Sequence, residues 1–371
     1  MDPIIKWPGG KSRELPHIRP LIPDYDRYIE PFFGGGALFF ALEPQRAAVN
    51  DSSRALMEFY RLIQTQDLEL RDLLLCYHES FRDLTEDCRA AGEQLTGWFQ
   101  AFLEGRWTKE ELEQELMDFV ARRTETLLER GTLARIVLDQ AAFRTELTRM
   151  ALDKFVRTCR NHQRKPFSQE DLRENLVTGF TSGYYMYFRA VFNDIQLERI
   201  PDPGAACRTA NFYFIREYCY GSMFRYNRRG EFNIPYGGMS YNQKNLGGKV
   251  DDMFRPEIAD LFARTQLSCM DFEAFLDALD PGPRDFIFLD PPYDTDFDDY
   301  EGNVFTREDQ ERLAGALRRS RANILLVIKN TPFIHGLYEG AFHIRRFGKQ
   351  YTYNVRSRND RDVEHLIITN Y

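Results

Sequence analysis

Four apolar residues, Phe286-Ile287-Phe288-Leu289, run directly into Asp290-Pro291-Pro292-Tyr293. The apolar run reads as an inner strand of a sheet. Two prolines then end it, because proline locks φ and lacks an N–H. This leaves a rigid turn at a strand's C-terminal edge, carrying an acid and an aromatic ring. In an open α/β sheet that edge is where ligands bind. The turn offers a carboxylate, a proline carbonyl that no helix can consume, and a flat ring. Those groups suit a planar base with an exocyclic amino group. Asp-Pro turns are also common punctuation, so the rest of the chain has to decide.

The surrounding segments predict an interrupted α/β protein. Tyr28–Glu30 reads as a short strand, Gly34-Gly35-Gly36 as a glycine turn, and Ala37 onward as a helix. Ala47–Asp51 is a second strand ending in an acid, followed by a helix from Ser52 to Leu62. From about Ser80 to Gly179 apolar residues recur at helical spacing, as at Leu112, Leu116, Phe119 and Val120. Thr108 with Glu111, and Ser168 with Asp171, are capping-box starts. This stretch reads as an inserted helical module. Strands return near 267–269, at 286–289 and at 324–328, with an antiparallel pair at 342–347 and 363–369 closing the sheet. A crossover helix spans Arg307–Arg319. The core is therefore split around a long insertion.

Composition narrows the class. The chain has 371 residues, 43% of them hydrophobic, which supports a real core. No segment has the unbroken apolar length of a membrane span, and the first residues lack a signal pattern. The expectation is a cytoplasmic protein. Its six cysteines show no CxxC pairing and read as reduced thiols. Neither they nor the six scattered histidines suggest a metal site. A net charge of −8 argues mildly against a nucleic-acid partner. The charge is segregated, however, and net charge then judges poorly.

Three further stretches carry candidate chemistry. Glu30-Pro-Phe-Phe-Gly-Gly-Gly36 places glycines between a strand and a helix, where backbone can approach a ligand closely. Asp51, ending the next strand, suits ribose hydroxyls. Lys6-Trp7-Pro8-Gly9-Gly10-Lys11 is a second glycine loop with a ring and two ammonium groups. Any one of these alone is more often a plain strand-to-helix turn.

Together they are specific. KWPGGK at 6–11, EPFFGGGALFF at 30–40, ND at 50–51, CMDF at 269–272 and DPPY at 290–293 occur in that order. The chain here resembles the Dam-type DNA adenine methyltransferases, the alpha group of the D12 class. Tyr184-Tyr185…Arg189…Phe192-Asn193 resembles the family's YYxxRxxFN helix, and 224–237 its DNA-reading hairpin. Tyr300…Phe305…Asp309-Gln310 resembles the segment after DPPY. The resemblance covers the chain except roughly 80–180. It implies a Rossmann-like S-adenosylmethionine-dependent methyltransferase sheet with an inserted helical target-recognition domain and β-hairpin. The catalytic domain would comprise 1–65 and 265–371, and the recognition domain 66–264 with an extra helical insertion at about 80–180.

The resemblance also implies roles. S-adenosylmethionine would be the methyl donor, bound by Trp7, Lys11, Glu30, Phe32, Gly34, Gly36, Asp51, Asp271 and Phe272. Asp271 and Phe272 match the pair that holds the cofactor's adenine. Asp290 and the Pro291 carbonyl would accept both N–H groups of a target adenine. Pro292 would complete the turn, and Tyr293 would stack on the base. A base buried in a duplex must be flipped out for this chemistry.

Double-stranded DNA is the expected partner. Arg225, Arg228 and Arg229 cluster in a turn beside Tyr226 and Phe232, and arginine reads guanine bidentately in the major groove. By resemblance Arg225 is the base-reading arginine and Pro235 meets a thymine methyl. Lys6, Asn227, Asn233 and Tyr236 join the DNA-binding set. Gly238-Met239 departs from the closest GATC-type members, so a GATC target is not implied. Arg345, Arg346, Lys349, Arg356, Arg358 and Arg361 oppose Asp360 alone, a candidate phosphate patch. The acidic 294–301 stretch reads as a gate. The helical insertion could dock a protein partner. Two other readings compete: an RNA adenine methyltransferase, and a non-catalytic DNA-reading subunit of a restriction-modification or defence assembly.

Overall fold

A computed structural model describes residues 1–292, 305–350 and 362–371, the side chains of 349, 350, 362 and 363 excepted. The chain divides into two compact units, Met1–Thr65 with Arg255–Tyr371, and Gln66–Phe254.

The first unit opens with α1 (Leu15–Ile18), β1 (Arg27–Glu30), α2 (Ala37–Leu42), β2 (Ala47–Asn50) and α3 (Arg54–Gln64). The second unit holds α4 (Leu68–Ala90), α5 (Gly92–Leu103), α6 (Lys109–Glu129), α7 (Gln140–Arg164), α8 (Gln169–Gln196), α9 (Ala205–Tyr218) and α10 (Leu246–Met253). The first unit resumes with α11 (Pro256–Ala263), β3 (Thr265–Ser268), α12 (Phe272–Leu279) and β4 (Asp285–Leu289). It continues through α13 (Arg307–Arg319), β5 (Asn323–Lys329), α14 (Pro332–Tyr338), β6 (His343–Gln350) and β7 (Asp362–Thr369).

Among the described residues the first unit is a seven-stranded sheet in the order β3-β2-β1-β4-β5-β7-β6. The first five strands are mutually parallel, and β7 runs antiparallel to both its neighbours. Parallel strands need covering helices on both faces, hence the continuous apolar runs. Ile287, Leu289, Ile324, Leu326 and Ile328 are fully buried in a core that also takes Leu313 and Leu317 from α13. The chain order reverses between β1 and β4. β2 and β3 lie on one side of that point and β5 on the other, which is the topological switch where such sheets bind ligands.

The second unit is an aromatic helix bundle around α8. Tyr77 lies 4.8 Å from Phe214 and 4.7 Å from Phe188, centroid to centroid. Phe214 and Phe81 both close on Tyr218 at 4.7 Å. Rings in such edge and offset contacts add about 0.5–1.5 kcal/mol per pair beyond their burial.

Neither end of the expected 80–180 insertion is an element boundary. Ser80 lies inside α4, and residue 180 lies inside α8, a single helix of 28 residues. Gly179 and Gly183 sit one turn apart on α8, where α7 comes close. A Cβ on them would stand 2.9 Å from the Ala151 Cα and 2.7 Å from the Leu147 Cα. The glycines therefore mark a helix crossing and not an exit from the helical region. The first unit resumes at Arg255, ten residues before the expected 265, because α11 leads directly into β3.

Candidate active site and nucleic-acid surface

The carboxyl ends of β2, β1 and β4 bring together most of the residues singled out for chemistry. Glu30 ends β1, Asp51 follows β2 and Asp290 follows β4. Lys11 reaches the same place. Its ammonium is 2% exposed, pairs with Asp290 Oδ1 and donates to the Gly9 carbonyl at 3.0 Å. A buried ammonium needs such a partner, since removing either member strands the other charge.

Glu30 is 2% exposed and accepts a 2.7 Å hydrogen bond from the Tyr28 hydroxyl, two residues earlier on the same strand face. Burial pushes its carboxyl well above the usual range. The Tyr28 bond and Lys11 oppose that rise, whereas the charges of Asp290 and Asp51 add to it.

The glycine turn is held from two sides. Gly34 and Gly36 have φ of 49° and 64°, which glycine adopts without strain. A Cβ on Gly34 would stand 2.8 Å from Trp7 Cδ1, so the indole lies against the turn. Asp51 accepts the Gly34 N–H at 2.8 Å and the Ser53 N–H at 2.9 Å, one on each carboxylate oxygen.

Three residues that the sequence reading left without a role complete this frame. The Tyr60 hydroxyl donates to the Gly34 carbonyl at 2.9 Å. The Asn50 amide donates to the Pro31 and Met270 carbonyls and accepts the Met270 N–H, tying three loops together. Arg312 donates to Asp271 Oδ1 at 2.8 Å and to Glu273 and Asp309, and its guanidinium lies 5.0 Å from the Phe272 ring centre. The spacing of Asp309 and Arg312 on α13 was a legible signal; their reach to α12 was not.

Asp271 caps α12, accepting the Glu273 and Ala274 N–H groups on Oδ1. Beside it Phe32, Phe272 and Phe305 form an aromatic triangle with centroids 5.4 to 5.6 Å apart. The structure thus brings together Trp7, Lys11, Glu30, Phe32, Gly34, Gly36, Asp51, Asp271, Phe272 and the Asp290–Pro292 turn within one unit. Tyr293, Tyr300 and the acidic 294–301 stretch lie outside the described residues.

In the second unit the arginine turn is a loop with two isolated bridges, Cys219 with Tyr236 and Tyr226 with Phe232, and not the regular hairpin expected. Its tip is shaped by Asn227, whose side-chain oxygen accepts the Arg229 and Glu231 N–H groups. The returning limb is held by α8. The Tyr185 hydroxyl and the Arg189 guanidinium both donate to the Ile234 carbonyl, at 3.0 and 3.3 Å. Asn193 exchanges two bonds with the Phe232 backbone, at 2.8 and 3.1 Å. Residues 185, 189 and 193 are four apart and share one helix face.

This arrangement sorts the predicted DNA contacts. Arg225, Arg228, Arg229 and Pro235 are exposed. Asn227 and Asn233 are half-buried. Tyr236 is buried, with its hydroxyl donated to Asn242 at 2.7 Å. Asn227 and Tyr236 use their side chains within the unit. Lys6, in the first unit, is exposed. Arg345 and Arg346 are exposed on the edge strand β6, whereas Arg356, Arg358, Asp360 and Arg361 lie outside the described residues.

Among the described residues no His, Cys, Asp and Glu group suits a metal ion, and no helix is long and apolar enough to cross a membrane. All six cysteines are free thiols.

Comparison with known proteins agrees with this chemistry. The chain is 24% identical to the type II methyltransferase M1.LlaDCHI of Lactococcus lactis subsp. cremoris, covering all of this chain and 96% of that one. It is 25% identical to the type II methyltransferase M.MjaIII of Methanocaldococcus jannaschii, covering all of this chain and 99% of that one. With the type II methyltransferase M.CviBI of Paramecium bursaria Chlorella virus NC1A it shares 32% identity over 44% of this chain and 60% of the relative. Residues 7–129 and 153–353 match the family of D12 class N6 adenine-specific DNA methyltransferases. The chain belongs to that family, whose enzymes methylate the N6 amino nitrogen of adenine in DNA.

Proposed function

We propose that this adenine-specific DNA methyltransferase binds S-adenosylmethionine across the carboxyl ends of β1 and β2 and holds its target adenine at the carboxyl end of β4. The observation that carries the reading is the juxtaposition of β2, β1 and β4 at the switch point, with Asp51, Glu30 and Asp290 at their ends. In this reading the sheet is a Rossmann-like methyltransferase sheet, and Gln66–Phe254 is the target-recognition domain.

The residues present fit that cofactor. Asp51 has lone pairs on both oxygens for ribose hydroxyls. The Phe32, Phe272 and Phe305 rings offer an apolar wall for a purine, with Asp271 at its rim. Glu30 is a buried acid suited to a cation nearby, Trp7 stands beside the glycine turn, and Lys11 pairs with Asp290. The cofactor, when bound, supplies an electrophilic methyl group on a sulfonium.

The chain's own residues do the rest. An adenine amino nitrogen is a poor nucleophile because its lone pair is delocalised into the ring. Asp290 and the Pro291 carbonyl would accept its two N–H groups, favouring a tetrahedral nitrogen with its lone pair directed along the transfer line. Positioning and electrostatics of this kind carry much of a barrier without a strong base. Lys11 compensates the Asp290 charge while the site waits for the base. The flipped adenine would be stacked by Tyr293. Arg225 and Pro235 would read base edges and methyl groups, while Arg228 and Arg229 would hold phosphates.

Asp290→Ala tests the site. N6-methyladenine in DNA incubated with the variant should fall by at least about 10³-fold. Calorimetric affinity for S-adenosylmethionine should be retained, because Asp290 holds the acceptor. Activity near wild type would end the assignment of this turn.

A further inference from the structure

We propose that Gln310 is a positioning residue for methyl transfer, fixing the catalytic turn through the Pro292 carbonyl. The inference rests on the reading of Asp290–Pro292 as that turn.

Successive prolines explain why such a residue is needed. The rings lock φ at Pro291 and Pro292. Asp290 and Pro291 each precede a proline, which confines both to extended ψ. Pro292 is followed by Tyr293, so its ψ has no such restraint. Among the ψ torsions of the turn it is the one that no following proline confines. Nor can the prolines anchor the turn through their own nitrogens, which carry no hydrogen. An outside donor is required, and Gln310 supplies it. Its amide Nε2 donates to the Pro292 carbonyl at 2.9 Å. Only the NH2 end of the amide can face a carbonyl oxygen.

Two further observations separate this from ordinary packing. Gln310 is fully buried, and among the described residues its Oε1 has no hydrogen-bond partner. Leucine or methionine would fill the same space without burying an unpaired oxygen. The amide is therefore explained by its donor end. Its base is also rigid. Thr306 and Asp309 close a capping box at the start of α13, and Leu313, Ala314 and Leu317 bury the next turns in the sheet core. Asp309 in turn holds Arg312, which grips Asp271. One helical turn thus braces the acceptor turn and the presumed purine wall together.

The test uses the full chain and adenine-unmethylated plasmid DNA. Single-turnover methylation at saturating cofactor is measured beside the cofactor Kd and the thermal midpoint. Gln310→Met keeps the volume and removes the donor. Its rate should fall by about 10- to 100-fold, with Kd and midpoint unchanged. Gln310→Glu adds a second reading. Its carboxyl can donate to the carbonyl only when protonated, so its rate relative to wild type should rise as the pH is lowered. A wild-type rate in Gln310→Met, a rate loss matched by lost cofactor binding and stability, or a pH-independent ratio in Gln310→Glu would each overturn the proposal. Asp290→Ala is run in parallel. If it stays active, the catalytic turn itself is misassigned and this proposal falls with it. If it is inactive while Gln310→Met is normal, only Gln310 is acquitted.

Discussion

The Asp290–Pro292 turn and the arginine turn are held in shape by opposite means. Asp290–Pro292 is stiff because of its own covalent structure, with one carbonyl held from α13. The loop from Arg225 to Tyr236 contains little regular pairing and takes its shape from side chains. Asn227 folds its tip, and Tyr185, Arg189 and Asn193 on α8 hold its returning limb. A turn of the first kind still has outside bonds to lose, here those from Gln310 and Lys11. One of the second kind is damaged from a distant helix.

Asn193→Ala should break this contrast most visibly. It leaves the Phe232 N–H and carbonyl without their partners in a buried place, which costs about 2–3 kcal/mol. Thermal unfolding should show the loss, and sequence discrimination should weaken although no exposed residue has changed. Undiminished discrimination at full stability loss would mean that the loop holds its shape without α8.

Asp51→Ala probes the first unit in the same way. It removes two backbone anchors as well as a ligand carboxylate, so affinity for S-adenosylmethionine should drop by about 1–3 kcal/mol in calorimetry. DNA binding should change less. Equal loss of both would show that the glycine turn serves more than the cofactor.

Arg225→Ala should lose roughly 1–3 kcal/mol of discrimination at one base pair. Arg228→Ala should instead weaken binding to all duplexes and lessen its salt dependence. Binding titrations with cognate and scrambled duplexes separate the two, and an equal fall for Arg225→Ala would make it a phosphate contact.

The smallest expected effect is that of Glu30→Gln. The folded carboxyl pKa of Glu30 is raised by burial, so its neutral form favours folding. That contribution is fully present below the unfolded pKa and is lost as pH rises through the folded one. Glutamine keeps an acceptor for Tyr28 and cannot ionise. The variant should therefore melt higher than wild type at neutral pH, by on the order of 2 °C, and the gap should close as the pH is lowered. A gap independent of pH would show that Glu30 is not titrating.

Much of the first unit was legible because its signals are local. Apolar runs gave β4 and β5, a place between two strands gave α13, and proline and glycine marked the turns at strand ends. The antiparallel pair was expected at 342–347 and 363–369 and is found at His343–Gln350 and Asp362–Thr369. What stayed hidden depends on pairs far apart in the chain. Nothing near Lys11 reveals that it meets Asp290, and nothing near Gln310 points to Pro292. In the second unit the helical stretch was ended at about Gly179, whereas the helix runs on to Gln196. The YYxxRxxFN pattern was matched, but its physical reason, a helix face gripping the Phe232 and Ile234 backbone, needed the packed structure. Asn227 and Tyr236 were grouped with the exposed arginines by position alone, and in the structure both bond within the unit.

The crossing of α7 and α8 also bears on which parts of this chain can change independently of one another. Residues 130–152 fall outside the family match and include the first half of α7. A segment laid on a surface can often be lost at little cost. This one lies in a groove cut by two absent side chains, since Gly179 and Gly183 leave α8 bare where Leu147 and Ala151 press in. Losing the segment would expose helix backbone along that groove and loosen the helix that carries Tyr185, Arg189 and Asn193. Refilling the groove would take simultaneous changes at both glycines. The crossing helix has thereby become a condition of the arginine loop's shape.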